Sequence, residues 1–340
     1  MSGVDRRALV VGFGVAGFLF VGLLLLVDID QVRSSLSRAN PLLLGLMFVL
    51  ALLWLGAWSV TLRTVLASMD VSLPFGTSFF VYNAAVFANN VTPFGQAGGE
   101  PVTALLVSKV AKTRYETGLV GIASVDVLNA ISSVALVFFG VGVYASRFTL
   151  GSNLFAAVSS VVILVAVIVV SFSLVWRYRQ ALIDRVSGPV AGAFDAVRWG
   201  PLKSRTITEE GVADRMHRFF ENVEVIADDR RGLVYALSLS TLGWMMQTAT
   251  LVVAFLAVGA DIPIVVALFV IPLANLAGMA PLPGGLGGIE AAFVALLVPT
   301  TGVAAAVVTA AVLLFRVAIY WMPVVIGGAS ASVFGVKVLS

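Results

Sequence analysis

The chain has 340 residues, of which 60% are hydrophobic and only 11% are charged, and its formal net charge is +3. A soluble domain of this length cannot bury so much apolar surface, so the composition excludes a water-soluble globular protein and indicates a polytopic membrane protein. There is no cysteine, which excludes disulfides, thiol catalysis and thiolate metal sites, and the one histidine cannot form a metal site alone. We therefore expect no metal and no cofactor.

Six apolar runs are long enough to cross a bilayer as helices, because about 20 residues suffice. They lie at residues 8–27, 41–62, 117–145, 153–176, 231–258 and 303–329. Two further apolar regions, 74–109 and 263–299, are interrupted by loops rich in Gly and Pro. Each is expected to form either two short helices that re-enter the membrane or two tilted full crossings. The predicted fold class is an all-α polytopic membrane protein, with one integral membrane domain over residues 1–340.

The distribution of Lys and Arg predicts the orientation. If the N-terminus is cytoplasmic, the inner loops contain 17 of these residues and the outer loops contain only Arg33, Arg38 and Arg147. This positive-inside bias predicts that both termini are cytoplasmic in a multi-pass protein of the cell membrane.

The polar stretch 177–230 is expected to be a cytoplasmic connector. Within it, 208–229 has the pattern of an amphipathic helix. The predicted apolar face consists of Val212, Met216, Phe219, Val223 and Ala227. Such a helix is expected to lie on the membrane surface, and a regulatory or docking role is the alternative.

The two interrupted regions contain a related pattern. "PFGQAGGE" (93–100) and "PGGLGGIE" (283–290) both read Pro-x-Gly-x-[Ala/Gly]-Gly-x-Glu. The sequence offset between them also aligns Trp54 with Trp244 and Asp126 with Arg316. We interpret this as an internal repeat with halves at about 41–145 and 231–335. The number of crossings between the halves is odd, so they are expected to be inverted in the membrane, as in many transporters.

The two loops are the first candidate site. Irregular backbone at membrane depth must be buried in protein or line a water-filled cavity, and glycines let a substrate approach the peptide groups. The candidate glycines are Gly95, Gly98, Gly99, Gly284, Gly285, Gly287 and Gly288. Glu100 and Glu290 are expected in the first turn of the helix after each loop. The alternatives are that the glutamates only favour the helix dipole and that the glycines only permit close helix packing.

Other polar residues within apolar runs are secondary candidates. Asp126 and Arg316 are expected to face the bundle interior, either in an internal salt bridge or, for Arg316, in contact with an anionic group such as a lipid phosphate. Asn89, Asn90 and Asn275 precede the loops and could hydrogen-bond a substrate or only satisfy loop backbone.

The chain resembles the lysylphosphatidylglycerol synthase transmembrane-region family of flippase-like membrane proteins. The resemblance rests on "NNVTPFGQAGGEP" (89–101), "PLPGGLGGIE" (281–290) and "RVAIYWMP" (316–323), and extends over about residues 8–330. It implies movement of a lipid product between leaflets, whereas the soluble aminoacyl-transfer domain of the best-known members is not found in this sequence. The family often has a Glu-Arg pair shortly before the aspartate of the helix after the first loop. Here "GIASV" precedes Asp126, so an Arg-dependent headgroup contact is not expected on that helix.

These observations predict flippase-like translocation of a lipid or lipid-linked polar headgroup, with a phospholipid or a polyprenyl-linked lipid as partner. A secondary transporter of a small soluble solute, which could be proton-coupled, is the alternative. Catalysis is not expected, because the sequence contains no serine–lysine, HExxH or paired-aspartate signature. Nucleic acid is not an expected partner, and the sequence does not indicate an oligomeric state.

Overall fold

A computed structural model describes residues 28–91, 96–146, 170, 173–196, 209–279 and 283–339. Every regular element in these ranges is a helix. In chain order the α-helices are α1 (Ile29–Ser37), α2 (Pro41–Ser68), α3 (Phe75–Val91), α4 (Gln96–Val110), α5 (Tyr115–Ala145), α6 (Arg179–Ala196), α7 (Glu209–Asp228), α8 (Arg230–Ala257), α9 (Ile264–Asn275), α10 (Gly288–Thr301), α11 (Ala305–Arg316) and α12 (Met322–Leu339). Short 3₁₀ turns lie at Leu276–Met279 and Pro283–Gly285, and a π-helical turn, Val317–Trp321, joins α11 to α12.

Four helical segments are long and apolar enough to cross a membrane. They are α2, α5, α8 and the continuous stretch Ala305–Ser332 of α11 and α12. They coincide with four of the six predicted runs, which confirms an all-helical, multi-pass membrane protein. The run at 8–27 lies outside the described residues, and so does most of the run at 153–176.

Helices α2 and α8 form an antiparallel pair at the centre of the bundle. At one end the Asn40 backbone N–H donates to the Ala257 carbonyl at 3.0 Å, and at the other the Ser68 hydroxyl donates to the Asp229 carboxylate at 2.6 Å. Between them, the Trp58 indole N–H donates to a backbone carbonyl of α8 at 3.1 Å. The Trp58 ring is in edge contact with Trp54 and Trp244, with centroids 5.3 and 5.5 Å apart. Contacts from end to end therefore fix the relative direction of the two helices.

Helix α5 joins this pair through buried polar contacts. The Trp244 indole N–H donates to the Asn129 carbonyl at 2.9 Å, and the Ser240 hydroxyl donates to the Asn129 side chain. Polar groups in a membrane protein interior stabilise helix association when they are paired in this way. Asn129 is therefore a structural contact between α5 and α8.

Helices α3 and α4 form one helical hairpin and α9 and α10 form another, which we call the first and second hairpins. The long helical segment after each hairpin also packs on the other hairpin. Helix α5, after the first hairpin, packs on α9 of the second, and α12, after the second hairpin, packs on α3 of the first. Glycine permits both approaches. A Cβ on Gly140 of α5 would lie 3.1 Å from the Val265 carbonyl oxygen, and one on Gly327 of α12 would overlap the Asn83 carbonyl.

The hairpin helices are short, with 17 and 15 residues in the first hairpin and 12 and 14 in the second. At about 1.5 Å per residue they extend about 18–26 Å, which is less than the ~30 Å of a hydrocarbon core.

The helix predicted at 208–229 is confirmed as α7, and it packs against the start of α5. Glu116 of α5 lies 3.5 Å from Arg215 and 3.9 Å from Arg218 of α7. The predicted apolar face is wrong at its last position, since Ile226 is buried and Ala227 is exposed. An α-helix has 3.6 residues per turn, so residues stay on one face when their spacing alternates between four and three. After Val223 the next residue on this face is therefore Ile226 and not Ala227.

We expect Gly243→Ala to destabilise the α2–α8 pair, because a Cβ there would overlap the Trp58 indole ring. Overpacking of this kind costs about 1–3 kcal/mol, which a lower melting temperature in detergent would report. Gly56→Ala is the matched control, because nothing lies within 4 Å of a Cβ at that position of α2. Equal melting temperatures for the two variants would contradict the described packing.

Candidate functional site

The turn of the second hairpin contains glycines in a backbone conformation that other residues rarely adopt. Gly284, Gly285 and Gly287 have φ angles of +58°, +62° and +83°, in the left-handed region that side chains disfavour. Gly287 then caps α10, and its backbone N–H donates to a carboxylate oxygen of Glu290 at 2.6 Å. Glu290 therefore lies in the first turn of α10, as the sequence predicts, and Gly288 begins the helix.

Arg316 is the partner of Glu290. Its Nε donates to the other carboxylate oxygen at 2.6 Å, and its Nη2 donates to the Gly284 carbonyl at 2.9 Å. The Glu290 and Arg316 side chains are 2% and 9% exposed. A charge in a membrane interior is stabilised by a partner and by hydrogen bonds, and both conditions are met here. The ion pair therefore links α11 to both ends of the turn before α10.

Tyr320 completes this contact, and the sequence analysis did not select it. Its ring lies 4.6 Å from the Arg316 guanidinium, a cation–π distance, and it fills the space that a Cβ on Gly284 would need. Its hydroxyl donates to the Asn90 carbonyl of α3 at 3.5 Å. Arg316 ends α11 and Tyr320 lies in the π-helical turn, an irregularity that is frequent at functional sites. The four-residue spacing of Arg316 and Tyr320 on a helix is the signal that could have identified this pair.

Two glycines of the first hairpin lie within a helix. Helix α4 begins at Gln96, so Gly98 and Gly99 lie inside the helix and Glu100 is its fifth residue. The prediction of a first-turn position for Glu100 is therefore wrong. A Cβ on Gly99 would overlap the Asn89 side chain and lie 2.7 Å from its backbone nitrogen. The glycine at this position permits close packing of α3 and α4. Gly95 lies outside the described residues.

Glu100 pairs with Asp126 of α5. The two carboxyl groups lie close enough to interact with each other. The Oδ2 atom of Asp126 and the Oδ1 atom of Asn89 are buried and have no hydrogen-bond partner among the described residues. Ionised carboxylates only accept hydrogen bonds, so a hydrogen bond between the two groups requires a proton on one of them. Asp126 and Arg316 therefore do not pair with each other; each pairs with the glutamate of the hairpin that precedes it.

The end of α3, which we call the tip of the first hairpin, is in contact with the turn Pro283–Gly285, which we call the tip of the second. Helix α3 packs against the turn Pro283–Gly285, and the Tyr320 hydroxyl bonds the last turn of α3. Asn90 takes part through its backbone carbonyl, whereas Asn275 is exposed at the end of α9. The structure thus brings Asn89, Asn90, Glu100 and Asp126 toward one side of the contact and Gly284, Glu290 and Arg316 to the other.

The chemistry available at this contact is polar binding inside an apolar bundle. It offers one guanidinium, three carboxyl groups and the peptide groups of a turn. In the part of the chain that is described, no three His, Cys, Asp or Glu side chains are grouped so that they could hold a metal ion.

Comparison with known proteins gives one family. Residues 9–327 match the family described as the lysylphosphatidylglycerol synthase TM region. Two UPF0104 membrane proteins of Methanothermobacter thermautotrophicus are 28% and 27% identical, over 98% and 99% of this chain and 97% and 96% of their own lengths. A UPF0104 membrane protein of Pyrococcus horikoshii is 21% identical over 95% of this chain and 96% of its own length.

The buried ion pair can be tested by a double-mutant cycle in detergent. We expect Glu290→Gln and Arg316→Met each to lower the free energy of unfolding by about 3–5 kcal/mol, since each leaves an uncompensated buried charge. The double variant removes both charges, so its loss is expected to be smaller than the sum of the two. Arg179→Met with Glu224→Gln is the control, because that pair is partly exposed and such pairs contribute about 0–1 kcal/mol. Strictly additive losses would show that Glu290 and Arg316 do not interact.

Proposed function

Since the chain belongs to the lysylphosphatidylglycerol synthase transmembrane-region family, we propose that it moves a lipid, or a lipid-linked polar headgroup, between the leaflets of the cell membrane. The observation that carries the proposal is the contact of two hairpin tips inside the bundle, with the buried Glu290–Arg316 ion pair beside one tip and the partly buried carboxyl pair of Glu100 and Asp126 beside the other. Apart from these pairs the surrounding helices are strongly apolar, so the charges mark the place where a polar group can be stabilised at membrane depth.

An inverted repeat supports this proposal. Four successive helices of one half begin at nearly the same sequence offset from four helices of the other: α2 and α8 at Pro41 and Arg230, α3 and α9 at Phe75 and Ile264, α4 and α10 at Gln96 and Gly288, and α5 and α11 at Tyr115 and Ala305. Helices α2 and α8, which correspond in this alignment, run antiparallel. Halves at about 41–145 and 231–335 would thus have opposite orientations, which is the arrangement that alternating access exploits.

In the proposed topology both hairpins re-enter the membrane. Their helices are too short to cross a hydrocarbon core of about 30 Å unless the bilayer thins locally. Irregular backbone such as Pro283–Gly285 is stable at this depth only within protein. The runs at 8–27 and 153–176 would complete six full crossings. Both termini, and α7 with its connector at 177–230, would then be cytoplasmic.

Lateral exposure of the first hairpin favours a lipid over a soluble solute. Val102 and Leu105 of α4 are 55% and 46% exposed, only two and five residues from Glu100. Val127 of α5, next to Asp126, is 56% exposed. The outer faces of these helices would contact lipid, so acyl or prenyl chains can stay in the bilayer while the headgroup reaches the carboxyl pair.

Under this proposal the residues have distinct roles. The Arg316 guanidinium has donors beyond the two in use and can bind a phosphate oxygen when the site opens, because planar donors suit phosphate. The turn at Gly284 and Gly285 has no side chains of its own, and it can offer its peptide groups when the Tyr320 ring that packs on Gly284 moves away. Glu100 and Asp126 provide acceptors for the opposite end of a headgroup. None of these groups forms a nucleophile–base pair, so we propose transport rather than catalysis.

The test is lipid movement in proteoliposomes that contain the purified protein. Fluorescent phospholipid and polyprenyl-phosphate analogues are expected to change leaflet faster than in protein-free vesicles. Glu100→Gln is expected to slow the movement at least about tenfold, equivalent to ~1.4 kcal/mol. Glu224→Gln, a change at a partly exposed carboxylate of α7, is the control and is expected to keep the rate.

Rates equal to those of protein-free vesicles for both lipid classes would contradict the proposal. Uptake of a soluble solute without lipid movement would favour the secondary-transporter alternative. If Glu100→Gln and Glu290→Gln both keep normal transport and only lower the melting temperature, the two carboxylates are structural.

A further inference from the structure

We propose that Glu100 and Asp126 together bind one exchangeable proton, and that release and uptake of this proton accompany each movement of the headgroup. This inference deepens the proposed function and rests on it for the coupling, whereas the proton site itself can be tested without transport.

The Glu290–Arg316 pair and the Glu100–Asp126 pair differ in their chemistry. The offset that superimposes the two glycine-rich patterns makes Glu100 correspond to Glu290 and Asp126 to Arg316. In the structure, the two residues of each half pair with each other: Glu290 with Arg316, and Glu100 with Asp126. In one pair the carboxylate is neutralised permanently by a guanidinium. In the other the corresponding position is a second acid, so the pair does not contain its own neutralising cation.

Acceptors exceed donors around the acidic pair. Asp126 Oδ2 and Asn89 Oδ1 are both buried without a partner in the ranges that the structure describes. The first acceptor belongs to the pair, and the second, on Asn89, packs on Gly99, the residue before Glu100 in α4. Buried acceptors without donors are costly, which indicates that a donor or cation completes this site in one state of the cycle.

A proton fits the geometry better than a metal ion. The two carboxyl groups lie close enough to interact, and one shared proton replaces their repulsion by a hydrogen bond. Metal cations prefer six or more oxygen ligands or a cage with several waters, and two carboxyls with one amide oxygen supply few of these.

Within the described ranges, the surroundings of the pair contain no cation that could take the place of the proton. Tyr82 of α3, which lies near Asp126, has a phenol side chain and cannot supply a positive charge. Lys109 of α4 and Glu116 of α5 are nine and ten residues along their helices from the pair, or about 13–15 Å.

In the part of the chain that is described, the neighbouring helices also place no basic side chain at the pair. Arg63 of α2 has an exposed side chain, and α3, α9 and α10 have no Lys or Arg. Arg230 and Arg231 lie at the first turn of α8, and Lys337 near the end of α12. The basic side chains of α7 lie at the start of α5, beside Glu116.

The pair is also placed to influence the hairpin tips. Glu100 follows Gly99, which packs on Asn89, and the next residue, Asn90, accepts the Tyr320 hydrogen bond beneath Arg316. Loss of the shared proton restores repulsion between α4 and α5. A shift of α4 is passed to the last turn of α3 through this close contact, and so to the second hairpin.

Reaction with the apolar reagent dicyclohexylcarbodiimide tests the proton site, because the reagent adds to protonated carboxyls inside membranes and leaves a stable acylurea. We expect one adduct on Glu100 or Asp126, located by peptide mass spectrometry in the full-length protein, that decreases from acidic to alkaline buffer. Glu290 is the internal control and is expected to stay unlabelled, since it is ion-paired. Glu100→Gln and Asp126→Asn are each expected to lose the adduct, because the amide donates a hydrogen bond that stabilises the remaining carboxylate. Glu224→Gln is expected to keep it.

The proton site is overturned if neither residue is labelled at any pH, or if Glu290 is labelled equally. Suppression by sodium ions instead of by alkaline buffer would identify a metal-cation site and also overturn it. Labelling as expected, together with lipid movement that is unaffected by an imposed pH gradient, would overturn the coupling but keep the proposed function. Labelling without any lipid movement would instead contradict the proposed function and leave the proton site standing.

Discussion

The contact on which the second hairpin depends is the bond between Arg316 and the turn that precedes α10. Backbone that leaves the helical path inside a membrane must find its hydrogen-bond partners within the protein. Arg316 donates to the Gly284 carbonyl, Glu290 accepts from the Gly287 N–H, and the two side chains neutralise each other. One ion pair thus provides hydrogen-bond partners for the backbone of the turn, fixes α11 against α10 and neutralises two charges that are buried in the bundle. Tyr320 extends the contact to α3, which brings the first hairpin to the same place.

Glycines are used in both hairpins, but in different backbone conformations and beside different side chains. In the second, glycines with positive φ form an open turn that a cationic side chain braces. In the first, Gly98 and Gly99 lie within α4, Gly99 permits close packing on Asn89, and two carboxyls occupy the corresponding positions. If the halves are inverted repeats, as we propose, the difference gives the site a fixed, neutral pair at one tip and a pair whose charge can change at the other.

Much of the fold could be predicted from the sequence, but the pairing in the site could not. Runs of about 20 apolar residues locate α2, α5 and α8, because such a run is rarely found outside a membrane-spanning helix. The offset that aligned Asp126 with Arg316 did not reveal the partner of either, because partners depend on which helices pack together. The position of Glu100 was missed because glycines inside a helix and in a loop look alike in sequence. Tyr320 and Trp321 are adjacent aromatic residues near a helix end, which is typical of an interfacial belt, whereas only Trp321 is exposed.

The most direct test of the central claim, that both hairpin tips lie within the membrane and meet there, is cysteine accessibility, which the absence of native cysteine makes simple. Val91→Cys and Leu286→Cys place one thiol near each tip, and Asp261→Cys and Lys112→Cys place one in a connection on either side. In oriented vesicles, we predict that a membrane-impermeant maleimide labels the two connection thiols rapidly from opposite sides and both tip thiols much more slowly. Labelling of either tip as fast as a connection would contradict the claim, because that hairpin would then cross to the surface.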